Sequence, residues 1–296
     1  MLAGILLALL SALCFAAAAA LQASATRAIA LSAPAPAGRI TRVLPVLGLL
    51  TRMLAHRVWW AGLGCNVLGF VFHSSALHVG SISIVQALLC VQLMFALPFA
   101  TARLRRPPLV RDWIGAAAAC LGIVTLVTAR GAVPQTQDRA HLVPVVAITA
   151  ILVMAMLIGI ARSSRSTLRT ALVGTAAGVG FSLTAVLIVV MADRLVHQGW
   201  WSLVTHWQVY AFAASGLIAA VLAQDAFAGG SFPAALTAMT VADPVAAWLW
   251  GAILFDAVPP TTPVALAGLV GAGVLILLGV GLLAGSPTLT RTQAAA

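Results

Sequence analysis

Apolar residues run along this chain in long, nearly uninterrupted stretches instead of alternating with polar ones. A bilayer-spanning helix needs about 20 mostly apolar residues. Nine stretches satisfy this requirement, namely 2–24, 58–79, 81–102, 110–129, 142–161, 168–192, 208–228, 231–254 and 263–284. Membrane barrels would show alternation, so helices must satisfy the backbone hydrogen bonds. The pattern predicts an all-α polytopic membrane protein with about nine transmembrane helices.

A tenth apolar stretch, 43–50, is too short to span and is bounded by Arg42 and Arg52. We interpret it as an interfacial or re-entrant segment, and ten crossings remain the alternative. The Pro-rich residues 33–38 and the polar residues 131–140 are typical of linkers. The first helix lacks a basic flank and is longer than a signal-peptide core, so we expect it to be retained.

Composition supports this class, because 62% of the 296 residues are hydrophobic and only 7% are charged. The formal net charge of +10 would suggest nucleic acid in a soluble protein. In a membrane protein it indicates arginine-rich cytoplasmic loops, so no nucleic-acid partner is expected. With nine crossings, Arg130, Arg139 and Arg194 lie on one side and the other 13 of 16 basic residues lie opposite. This bias predicts a bacterial cytoplasmic membrane protein with its N-terminus outside and its C-terminus inside.

The chain repeats itself with a shift of 150 residues. LLTRMLAHRVWWAGLG (49–64) aligns with GWWSLVTHWQVYAFAA (199–214), which superimposes His56 on His206. Each unit contains four predicted helices, and the single helix between them would invert the second unit. This organisation comprises a first repeat (1–130), a linker with a central helix (131–167), a second, inverted repeat (168–285) and a cytoplasmic tail (286–296). Inverted repeats are common in secondary transporters.

Four stretches carry a family resemblance, namely GILLALLSALCFAAAAALQ, VGSISIVQALLCVQLMFALPFA, VADPVAAWLWGAILFDAVPPT and ALAGLVGAGVLILLGVGLLAG. They resemble the drug/metabolite transporter superfamily, in particular the EamA-like and NIPA-like membrane proteins. The resemblance implies a transporter of small molecules or ions without fixing the substrate. The chain departs from the family because the usual glutamate after the penultimate helix is absent, with Asp256 nearby. The usual second helix of each half is also reduced, to 40–55 and 197–206.

Asp243 is the strongest candidate for a working residue. A carboxylate inside an apolar helix costs about 2.5–3.5 kcal/mol, so its presence needs a reason. Pro244 removes a helical N–H and frees the carbonyl of Thr240, which predicts a kink. Together with Thr237 and Thr240, Asp243 could line a polar cavity and bind a proton or a cation. The structural alternative is a hydrogen bond from Asp243 to a neighbouring helix.

The other candidates have stronger structural alternatives. Asp225 and Gln224 lie near the predicted cytoplasmic end of their helix, where Asp225 could snorkel to the interface or pair with a cytoplasmic arginine such as Arg162 or Arg165. His73, Gln92 and Gln22 could face a transport pathway, but such side chains also join helices by hydrogen bonds. Small-residue pairs such as Gly115 with Ala119 and Gly268 with Ala272 favour close packing within the chain, with a homodimer as the alternative.

No enzyme signature is present, and Cys14, Cys65, Cys90 and Cys120 lack metal-ligand spacing. We therefore expect a non-enzyme with no cofactor and no resident metal, whose partners are the lipid bilayer and a small-molecule or ion substrate. The first hypothesis is a secondary transporter of a small metabolite or cation, with proton coupling through Asp243. A magnesium-type cation transporter and a non-transporting scaffold or lipid flippase accessory are the alternatives.

Overall fold

The computed structural model describes residues 2–33, 45–79, 85, 88–101, 107–128, 140–229, 232–254 and 262–284. Within these ranges every regular element is helical. The α-helices are α1 (Leu2–Ser32), α2 (Leu50–Leu54), α3 (Arg57–Val79), α4 (Gln92–Thr101), α5 (Val110–Thr128), α6 (Val143–Ala161), α7 (Ser166–Gln198), α8 (Trp200–Thr205), α9 (Trp207–Ala228), α10 (Phe232–Leu254) and α11 (Pro263–Ala284). Short 3-10 turns cover Pro45–Gly48 and Ala140–Leu142. The predicted tail, 286–296, and Asp256 lie outside the described residues.

Six helical segments are long and apolar enough to cross a membrane: Leu2–Ser32, Val143–Ala161, Ser166–Met191, Trp207–Ala228, Phe232–Gly251 and Pro263–Leu283. The expected all-helical architecture with several membrane-crossing helices is therefore confirmed. Helices α3 and α5 also form where the runs 58–79 and 110–129 predict them. The total of nine crossings stays a prediction.

The predicted uninterrupted helix over 81–102 is wrong at Cys90 and Val91, which form a turn before α4 begins. In a continuous α-helix the Cys90 carbonyl would accept the N–H of Met94. Instead it accepts the N–H of Leu93 at 3.1 Å and the thiol of Cys120 at 2.9 Å. The Met94 N–H binds the Val91 carbonyl at 2.9 Å. The α-helical ladder is therefore interrupted between consecutive apolar stretches.

Two short helical segments precede longer helices, one between α1 and α3 and the other between α7 and α9. The first comprises Pro45–Gly48 and α2, and the second is α8. The described part of the first segment, residues 45–54, is too short to span a bilayer. It packs inward through Val46, Leu49 and Met53, which are buried against Ile29 of α1. Gly199 turns the chain into α8 with a φ of 74°, a conformation that glycine adopts readily.

Small residues let the long helices approach closely. A Cβ on Gly279 of α11 would lie 2.6 Å from the backbone nitrogen of Ala119 in α5. A Cβ on Gly122 would lie 2.8 Å from the carbonyl oxygen of Ala272. Gly115, Ala119 and Ala272 therefore pack within the chain, as the intramolecular interpretation expects, whereas a Cβ on Gly268 would meet nothing within 4 Å. Apolar side chains such as Ile148, Leu152 and Met156 of α6 face outward, which suits a lipid environment.

Contacts between helices define which ends lie together. Ser11 binds the carbonyl of Gly69, so α1 and α3 are antiparallel. Arg169 contacts Asp225, so the beginning of α7 lies beside the end of α9. Thr26, near the end of α1, binds Gln224 at the same level. We call this the Arg169 end of the bundle.

Candidate functional site

Asp225 lies at the Arg169 end, fully buried and fully paired. Its Oδ2 accepts a hydrogen bond from the guanidinium of Arg169 at 2.7 Å. Its Oδ1 accepts the backbone N–H of Val46 at 3.2 Å. The expected arginine partner is Arg169, which was not one of the two examples named, Arg162 and Arg165. Arg169 lies one turn inside α7, where its side chain can reach α9.

Gln224, the residue before Asp225, binds three side chains on two other helices. Its Oε1 accepts hydrogen bonds from the Thr26 hydroxyl at 2.8 Å and the Trp59 indole at 3.2 Å. Its Nε2 donates to Oε1 of Gln22 at 2.6 Å. Both acceptor positions of the amide oxygen are therefore used. Gln22 and Gln224, both predicted as candidates, meet across 202 residues of sequence.

We call these groups the Gln224 cluster: the side chains of Gln22, Thr26, Trp59, Arg169, Gln224 and Asp225, with the N–H of Val46. The cluster joins α1, α3, α7, α9 and the 45–48 turn at one level of the bundle. Its polar groups are buried among apolar residues, where unsatisfied groups would be costly. Mutual hydrogen bonding gives this set a clear structural role.

Asp243 has very different surroundings. It is partly buried in α10, which continues as a helix through Pro244. The structure records no hydrogen bond or ion pair from its carboxylate to another described residue. The predicted structural alternative, a hydrogen bond to a neighbouring helix, therefore finds no partner in the described part of the chain.

Asp243 lies on a part of α10 that is near the interrupted helix before α4. It lies near enough to Cys90 for the two groups to interact electrostatically. One turn earlier on α10, the hydroxyl of Thr240 accepts a hydrogen bond from the amide of Gln92 at 3.3 Å. Gln92 is the first residue of α4, so the partial positive charge of that helix end lies near Asp243. We call Gln92, Thr240 and Asp243 the Asp243 group.

Thr237 is buried on the same helix, two turns before Asp243. It lines a small, mostly apolar crevice between α4, α10 and α11 whose other lining residues are Leu93, Ala96, Leu97, Phe232, Pro233, Leu236 and Leu283. Behind the Asp243 group, α7 approaches α10 closely. A Cβ on Gly178 would lie 2.7 Å from the Met239 carbonyl and 3.0 Å from the Asp243 nitrogen. The backbone of α10 at Asp243 is therefore in close contact with α7.

His73 belongs to neither group. It is partly buried on α3, and its Nδ1 is buried without a hydrogen-bond partner among the described residues. The described chain also contains no group of three or more His, Cys, Asp or Glu side chains able to hold a metal ion. The candidate site therefore consists of one carboxylate with amide and hydroxyl neighbours.

Sequence reasoning missed several members of the Gln224 cluster. Thr26, Trp59 and Arg169 each read as ordinary helix-end residues, and the N–H of Val46 carries no sequence signal. Thr26 lies one turn from Gln22, so a polar stripe on α1 was the one available hint. The interrupted helix at Cys90 was hidden because the residues on both sides of it are apolar.

Comparison with known proteins gives one relative without an assigned activity. An uncharacterized protein of Corynebacterium glutamicum is 29% identical over 209 residues, which cover 68% of this chain and 70% of that protein. No family model matches the chain. No solved structure matches it. The functional argument therefore rests on the residues of the two groups.

Proposed function

We propose that this protein is a secondary transporter that moves a small metabolite or cation across the bacterial cytoplasmic membrane by alternating access. The observation that carries the proposal is the Asp243 group, in which a carboxylate of an apolar helix has no hydrogen-bond partner among the described residues and lies near an interrupted helix. Transporter binding sites commonly use discontinuous helices, whose free backbone groups and helix ends bind substrate or coupling ions. Ionisable residues within a membrane are expensive and mark transport pathways or proton relays.

The two halves of the chain act as inverted repeats in this proposal. Their short helices begin at Leu50 and Trp200, and the helices that follow begin at Arg57 and Trp207. Both pairs differ by the 150 residues of the sequence repeat. A matching hydrogen bond supports the correspondence. The Trp60 indole donates to the Leu54 carbonyl at 2.6 Å, and the Tyr210 hydroxyl donates to the Val204 carbonyl at 3.0 Å.

The Arg169 end faces the cytoplasm in this proposal. The described arginines at that end are Arg27, Arg52, Arg57, Arg111, Arg162, Arg165 and Arg169, whereas Arg194 lies towards the other end of α7. Short loops rich in arginine favour the cytoplasmic side. The chain would then have its N-terminus outside and its C-terminus inside.

The direct test is flux into proteoliposomes with an imposed pH gradient, screened over small amines, amino acids and monovalent cations. The wild-type protein should give gradient-driven flux, and Asp243→Asn should reduce it at least about tenfold, the range of a lost charge interaction. Thr184→Val is the matched control, because it removes a partly buried hydrogen bond to Ser215 inside the second half. Its flux should stay close to that of the wild type.

Three outcomes would contradict parts of the proposal. Full flux in Asp243→Asn would remove Asp243 from the mechanism. A current that depends on divalent metal would favour the magnesium-type alternative. If no gradient or solute elicits a response, the scaffold or lipid flippase accessory alternative would be preferred.

A further inference from the structure

Most members of the Gln224 cluster bind across the boundary between the two halves. Gln224 on α9 binds Gln22 and Thr26 on α1 and Trp59 on α3. Asp225 binds the Val46 N–H. Four hydrogen bonds therefore connect side chains of the second half with groups of the first half, and all four lie at the Arg169 end.

The ion pair in the same cluster stays within one half. Arg169 and Asp225 lie on α7 and α9, which belong together in the second half. Separation of the halves would therefore leave the Asp225 charge paired. The cross-half bonds could break and reform without exposing an uncompensated buried carboxylate, whose cost would otherwise oppose opening.

The opposite end of the bundle has no equivalent of this arrangement at the matching positions. A shift of 150 residues places Ser74 and Ser75 of α3 over Gln224 and Asp225. Ser74 is exposed, and the Ser75 hydroxyl binds the Val71 carbonyl of its own helix at 2.9 Å. Gln224 and Asp225 therefore form hydrogen bonds between the two halves, whereas Ser74 and Ser75, at the matching positions of the first half, do not within the described part of the chain.

We propose that Gln224 and Asp225, through their bonds to Gln22, Thr26, Trp59 and Val46, form a latch that closes the Arg169 end and must open during each transport cycle. The inference rests on the proposed function, because a latch between halves has a purpose only if the halves separate. The 45–54 segment moves with the first half when the Val46 bond breaks. Arg169 is the positioning residue that orients Asp225 through their 2.7 Å contact.

The latch can be tested by distance measurement without any transport assay. Spin labels are attached to Leu54→Cys and Leu168→Cys, two exposed positions on α2 and α7 at the Arg169 end. Cys14, Cys65, Cys90 and Cys120 are first replaced by serine. Pulsed electron resonance then reports the distance distribution in lipid for the latch variants Gln224→Ala and Thr26→Val. Ser182→Ala is the control, because it loses the buried hydrogen bond from Trp250 within the second half.

Loss of one hydrogen bond shifts a two-state population about fivefold. Thr26→Val should therefore raise the long-distance component about fivefold, and Gln224→Ala should raise it further, while Ser182→Ala leaves it unchanged. Thr26→Val preserves side-chain shape, so it gives an answer even if Gln224→Ala does not fold. An unchanged distribution in folded Thr26→Val would overturn the latch.

This experiment separates the latch from the proposed function. If the latch variants open but the wild-type protein moves no solute, the latch stands and the transport proposal fails. If the wild-type protein transports a solute but the distances stay unchanged in Thr26→Val, the transport proposal stands and the latch fails.

Discussion

Asp225 and Asp243 lie in consecutive apolar helices, α9 and α10, and their surroundings differ in almost every respect. Asp225 is fully buried, with a guanidinium on one oxygen and a backbone N–H on the other. Asp243 is partly buried and has no such partner among the described residues. A carboxylate that is satisfied within the protein can stabilise a fold. One that is left unsatisfied beside an interrupted helix remains able to bind a ligand or a proton. The following substitutions test this distinction, from the largest expected effect to the smallest.

Arg169→Ala should cause the largest loss of stability. It leaves the fully buried Asp225 carboxylate without its cationic partner. Such a loss typically costs about 3–5 kcal/mol in a fully buried pair, and we expect a smaller cost here because the Arg169 side chain is 25% exposed. The measurement is the free energy of unfolding in mixed micelles. Arg165→Ala, four residues earlier and exposed, is the matched control and should stay within about 0.5 kcal/mol of wild type. Equal effects of the two substitutions would refute the structural role of Asp225.

Gly178→Val should disturb the support of the Asp243 group. The added side chain would collide with Ala242 and the Met239 carbonyl, and overpacking of this kind typically costs about 1–3 kcal/mol. Gly159→Val on α6 is the control, because a Cβ there meets nothing within 4 Å. Both variants should be compared by unfolding and by flux. Normal flux in Gly178→Val would mean that the position of Asp243 does not depend on α7.

Thr26→Val and Thr240→Val form the most closely matched pair. Each removes one hydroxyl that binds a glutamine, in the Gln224 cluster or in the Asp243 group. A typical hydrogen bond contributes about 0.5–1.5 kcal/mol. The fully buried, 2.8 Å bond of Thr26 should contribute more than the 3.3 Å bond of Thr240. We expect Thr240→Val to affect flux more than unfolding. If Thr240→Val lowered the free energy of unfolding more than Thr26→Val did, the result would argue against the distinction between the Gln224 cluster and the Asp243 group.

Much of the helical framework could be predicted from hydropathy alone. The run 263–284 coincides with α11, and 208–228 differs from α9 by one residue at its start. Long apolar stretches have few other ways to satisfy their backbone in lipid, so the positions of the helices follow from the sequence. Their limits follow less closely, because α1 continues to Ser32 beyond the run 2–24 and α7 continues to Gln198 beyond the run 168–192. The interruption at Cys90 could not be predicted in this way, because the residues around it are apolar and the thiol that binds the Cys90 carbonyl comes from Cys120 on another helix.

The candidate site was predictable only in part. Asp243 and Asp225 attract attention because charges are costly in apolar helices, and that argument needs no structure. Their different roles depend on neighbours that are distant in sequence, such as Arg169, Thr26 and Gln22. Tertiary packing decides which arginine pairs with Asp225, and it is Arg169 instead of Arg162 or Arg165. The importance of the two aspartates was therefore predictable from their residue type, whereas the residues that bind Asp225 were not.

The most direct measurement of the central claim compares Asp225→Asn and Asp243→Asn under identical conditions. Unfolding of each purified variant is followed in the same mixed micelles beside the wild type. Asp225→Asn should lower the free energy of unfolding by about 1–3 kcal/mol, because it weakens the pairing of Arg169. Asp243→Asn should leave it unchanged or raise it, because the substitution removes a charge without a partner among the described residues. Destabilisation by Asp243→Asn equal to or greater than that by Asp225→Asn would contradict the account.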